Sequence, residues 1–70
     1  MNKYTYPRWR KGNGEHGYAI RRKSDGAMLW HKRADKWTVS LAFDRDFAKV
    51  VTNRPLPAFC QFSVGKPQEG

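Results

Sequence analysis

Arg21, Arg22 and Lys23 precede one turn and Lys32 and Arg33 follow it, with Tyr18, Trp30 and His31 interleaved, a mixture of residue types suited to binding phosphate oxygens. Cations displace counterions, and Arg also reaches base edges with paired donors. A second group, Arg8-Trp9-Arg10-Lys11, sets one large aromatic ring among three cations, so that a base can stack where phosphates are held. Thr38 and Ser40 add short hydroxyl donors of the kind that reach a phosphate.

Other chemistries find less. His16 and His31 are fifteen residues apart and Cys60 has no second thiol, so His and Cys alone cannot assemble a four-ligand zinc site. Asp44 and Asp46 suit the start of a helix better than a catalytic carboxylate pair. Cys60, beside Phe59 and near Phe62, suits a small buried hydrophobe. Gly12-Asn-Gly-Glu-His-Gly17 matches no nucleotide-binding glycine fingerprint, lacking a strand before it and a helix after it. The expectation is a protein that binds and does not catalyse, with no cofactor and no metal.

The charge is unevenly spread over the 70 residues. Fourteen Lys and Arg face six Asp and Glu, a net +8. Residues 1–33 hold nine of the cations and two of the anions, a balance of +7, and residues 34–70 supply the remaining +1. Such segregation marks a surface patch or a basic arm. A chain this short makes one domain with a thin core. With one cysteine, packing alone must hold it, and a reducing compartment, the cytoplasm, is the expected location. No apolar run reaches the roughly 20 residues needed to span a bilayer, and residues 1–7 lack the apolar centre of a signal peptide.

The elements that position these residues follow from period-two patterning. Ser24-Asp25-Gly26 fits a three-residue hairpin loop with Gly26 in the left-handed position. That loop sets Lys23 opposite Ala27, Ile20 opposite Trp30 and Tyr18 opposite Lys32. Trp37, Val39, Leu41 and Phe43 alternate with Thr38, Ser40 and Ala42, and a tight turn at Ala34-Asp35 pairs Lys32 with Trp37 and Trp30 with Val39. The expected α+β fold therefore has a three-stranded antiparallel sheet over residues 18–23, 27–33 and 36–43. Tyr18, Ile20, Met28, Trp30, Trp37 and Val39 form its apolar face. Arg21, Lys23, His31, Arg33, Lys36, Thr38 and Ser40 form a cationic, hydroxyl-bearing face, with only Leu29 and the small Ala19 and Ala27 among them.

A short helix over residues 44–52, capped by Asp44, is expected to cover the apolar face with Phe47, Val50 and Val51, an extended segment at 48–52 being the competing reading. Residues 58–64 read as a closing extended segment. Residues 1–17, with Pro7 and three glycines between 12 and 17, read as a basic aromatic arm in which Tyr4 to Tyr6 can form an edge strand; 18–64 read as the compact domain and 65–70 as a tail. Three strands and then a helix over residues 18–53 is a plan similar to that of AP2-type and integrase arm-binding DNA-binding domains; no diagnostic motif of either is present, and the likeness is one of layout.

The expected function is a small nucleic-acid-binding accessory protein. Duplex DNA is preferred over RNA because no RNA-binding signature is present, and the contacts fall to Arg8, Trp9, Arg10, Lys11, Arg21, Lys23, His31, Arg33, Lys36, Thr38 and Ser40. The alternative is an inhibitor or adaptor of the phage or mobile-element type, docking the same basic face on an acidic protein partner. Cations lining a strand also serve solubility alone.

Overall fold

The structure, a computed structural model, describes residues 3–64. Its N-terminal third is one bent antiparallel hairpin. Strands β1 (Tyr4–Thr5) and β2 (Arg8–Arg10) run back along β3 (His16–Tyr18) and β4 (Arg21–Arg22), and a single register holds throughout, from Tyr4 opposite Arg22 to Arg10 opposite His16. Pro7 has no N–H to give at the bend, yet its carbonyl accepts the Ala19 N–H at 2.9 Å. The hairpin closes at residues 11–15, where Gly14 takes φ +91 and the Asn13 carboxamide accepts the Glu15 N–H. Much of the expected arm is thus paired chain. β1 is the edge strand allowed before Pro7, and the glycines make a turn and a close approach. A Cβ on Gly17 would lie 2.7 Å from the Ala42 carbonyl oxygen.

The central strand, β5 (Met28–Arg33), explains why the sheet is larger than three strands. Its pairing with β6 (Lys36–Val39) has the expected register, Lys32 opposite Trp37 and Trp30 opposite Val39. Ala34 and Asp35, at φ 51 and 63, make the tight turn between them. The β4–β5 hairpin is shifted by one residue from expectation. Arg21, not Arg22, lies opposite Met28, and the Arg22 N–H donates to the Ala27 carbonyl across a four-residue loop. Asp25 stabilises the wider loop, accepting the Ala27 N–H at 3.0 Å and gripping the Arg22 guanidinium at 2.9 and 2.6 Å.

The sheet then forks at Leu29, whose N–H donates to Ile20 and whose carbonyl accepts from Ser40. One edge of β5 is therefore shared by two strands. Beyond the fork those strands pair with each other through Tyr18 and Ala42. The other edge of β5 takes β7 (Cys60–Ser63), where an extended segment was expected, giving a five-stranded antiparallel sheet beside the β2–β3 ribbon. The consecutive three-strand plan is replaced by this forked one.

β5 is buried on both faces at Leu29 and Trp30, which overturns the division into one apolar and one cationic face. Ile20, Leu29, Ala42 and Ala48 form one cluster with Tyr4, Tyr6, Leu56 and Phe62 around it. Ala19, Trp30 and Val39 form the second, with Met28, Trp37 and Leu41. The one-residue shift contributes, since it puts Ile20 beside Leu29 and Ala19 beside Trp30 on opposite faces.

Helix α1 (Arg45–Thr52) forms where expected, with Asp44 accepting the Phe47 N–H at 2.7 Å. It meets the first cluster through the fully buried Ala48 and through Thr52, whose hydroxyl pairs with Tyr6. Phe47 and Val50, expected to face the sheet, point outward with Phe43; the Phe43 and Phe47 rings lie 4.9 Å apart. No helix among the described residues is long and apolar enough to cross a membrane. The expected tail, 65–70, lies outside the described residues.

Candidate functional site

The closing loop of the first hairpin packs on β6. There the Lys11 ammonium donates to the Thr38 hydroxyl at 2.5 Å and stands 4.0 Å from the Glu15 carboxylate. Two concavities flank this contact. A groove of about 440 Å³ is walled by Trp9, Arg10 and Lys11 on the hairpin side and by Trp30, Thr38 and Val39 on the sheet side. A shallower one of about 400 Å³ lies towards Glu15, Arg33 and Lys36, with Thr38 and Asn13 common to both.

Each wall has a local cause. Trp9 is 38% exposed, and its cross-strand partner is Gly17, so no side chain lies directly opposite its ring. Arg33 and Lys36 are brought face to face by the tight Ala34-Asp35 turn, and both are exposed. His31 and Ser40 are joined by a hydrogen bond of 2.8 Å. Partial burial, reinforced by the charges of Lys11 and Arg33, holds the His31 imidazole below its ordinary value. Glu15 is held low first by its hydrogen bond from Asn13 and then by Lys11, so an anion interrupts the cationic surface.

Of the residues expected to act together, Trp9, Arg10, Lys11, His31, Arg33, Lys36, Thr38 and Ser40 lie around these concavities or next to them. Arg21 and Lys23 do not. Arg21 lines neither concavity, and Lys23 lies in the loop between β4 and β5, where its N–H bonds the Lys3 carbonyl. Arg8 is occupied elsewhere, its guanidinium 5.6 Å from the centre of the Tyr18 ring, with Arg45 also over that ring at 5.4 Å.

Asn13, Glu15, Trp30 and Val39 also contribute and were not read from the sequence as site residues. Trp30 was expected wholly within the core; it is 5% exposed yet forms a groove wall, and its indole N–H finds no hydrogen-bond partner among the described residues. The usable signal was Asn13 and Glu15 inside a Gly-rich turn, which becomes informative only once residues 3–23 are seen as one hairpin.

Burial raises the Cys60 thiol above its usual range, so it is a poor thiolate. Among the described residues, no three of His, Cys, Asp and Glu converge on a common point. Comparison of the chain with protein-family profiles, curated proteins and solved structures finds no match.

Proposed function

We propose that this protein is a small nucleic-acid-binding accessory protein, acting in the cytoplasm, whose phosphate-binding surface consists of Arg10, Lys11, Arg33 and Lys36 around Thr38. The observation that carries the reading is the convergence of these residues, from two separate hairpins, beside a groove with an exposed tryptophan. Four cations against the one Glu15 leave a net positive patch in which phosphates replace water and counterions. Duplex DNA was expected for want of an RNA-binding signature, which leaves single strands open. The register puts Arg21 and Arg33 on opposite sides of the sheet, so the proposed surface keeps Arg33 and omits Arg21.

A control of equal charge tests this reading against general basicity. Replacing Arg33 and Lys36 by Ala should weaken oligonucleotide binding at low salt by about ten-fold or more. Replacing Arg21 and Lys23, which are equally exposed, should weaken it much less. Equal losses would reduce the patch to nonspecific charge, and no binding by the parent protein would remove the reading. Docking on a protein partner is favoured by a different observation, the exposed Phe43, Phe47 and Val50 in and beside α1, a surface other than the basic face first considered. Under that reading, oligonucleotides should not compete with the protein partner.

A further inference from the structure

We propose that the groove between residues 9–13 and β6 is a stacking site for an unpaired nucleobase, so that the preferred ligand is single-stranded nucleic acid. The inference rests on the phosphate-binding reading above and adds what lies between the phosphates. Trp9 and Trp30 wall the groove, Arg10 and Lys11 line its rim, and its volume of about 440 Å³ falls within the range of about 300–1,000 Å³ usual for small-molecule sites. Stacking on an exposed aromatic tolerates any base, because every base has a π-face.

The geometry disfavours a duplex here. Paired bases keep their faces against their neighbours and offer none to Trp9 unless one is extruded, which costs several kcal/mol. A single strand has no such cost. Its backbone can continue from Arg10 past Thr38 towards Arg33 and Lys36, since the two concavities share Thr38 and Asn13. DNA and RNA single strands share all of this, so the inference names their common chemistry.

Fluorescence anisotropy with labelled oligothymidine, oligouridine and a duplex of the same length tests it, using the full chain and three variants: W9A, W9F and the Arg33/Lys36 double Ala variant. W9A should weaken binding of both single strands by about ten-fold or more and leave duplex binding within about two-fold of the parent. W9F, which keeps a π-face, should retain most of the affinity, and its retention separates stacking from any loss of fold in W9A. A preference between the two strands would reflect the 2′-hydroxyl and the C5-methyl together and still support the stacking site. If W9A binds single strands as the parent does, or loses duplex and single-strand binding alike, the stacking site is wrong. The phosphate reading then survives provided the Arg33/Lys36 variant is impaired. Failure of the parent to bind any of the three probes would overturn both.

Discussion

His31 and Asp25 carry opposite lessons about charge at single positions. His31 is held below the ordinary 6.5, first by burial and then by Lys11 and Arg33, with Glu15 opposing. A histidine with a depressed folded value favours the fold while neutral, fully above the unfolded value, and that contribution is lost as pH falls from about 6.5 towards the folded value. His31→Gln, which keeps a partner for Ser40, should therefore flatten the fall in melting temperature between neutral and mildly acidic pH. An unchanged profile would contradict the placement. Asp25 is drawn down to about 2, chiefly by its hydrogen bonds from Arg22 and also by the Ala27 N–H. Its contribution is present above the unfolded value of 3.8 and is lost as pH falls through about 2. Asp25→Ala should thus lower the melting temperature at neutral pH, with the gap to the parent closing at the acid extreme. The sequence marked Asp25 as a turn residue. It could not reveal that the carboxylate would take the Ala27 N–H, because a three-residue and a four-residue loop use Ser24, Asp25 and Gly26 equally well.

Among the elements, legibility followed how much local pattern each one carried. The β5–β6 hairpin was readable because Trp37 and Val39 alternate strictly and Ala34-Asp35 leaves room for only a tight turn. The fork at Leu29 was not readable, since sharing one strand edge between two partners leaves no trace in either partner's periodicity. The helix was readable in extent but not in facing. Phe47 and Val50 recur at helical spacing, yet Ala48 and Thr52 meet the core. Phe47→Ala should therefore change stability by less than about 1 kcal/mol, whereas Ala48→Leu, adding methylenes at a fully buried contact, should cost about 1–3 kcal/mol in urea unfolding. The reverse order would mean that the helix is turned the other way. At the close approach of β3 to residue 42, Gly17→Ala should be destabilising by a similar amount, because the atom in the way, the Ala42 oxygen, is backbone and cannot swing aside.

For the whole molecule, the net +8 invites an anionic partner, and the fold gathers only part of that charge into one place. The candidate site was legible as a list of residue types and not as a surface. Trp9, Arg10 and Lys11 meet Thr38 only because the 3–23 hairpin bends its tip onto β6, a long-range contact that local patterning does not encode. If Arg10, Lys11, Arg33 and Lys36 each neutralise one phosphate, log affinity for a single strand should fall with log salt at a slope of about −3. The most direct test of the account is that slope in the parent and in a variant with Arg10, Arg33 and Lys36 all replaced by Ala. The account predicts a change from about −3 to about −1; a parent slope near zero, or the same slope in both proteins, would contradict it.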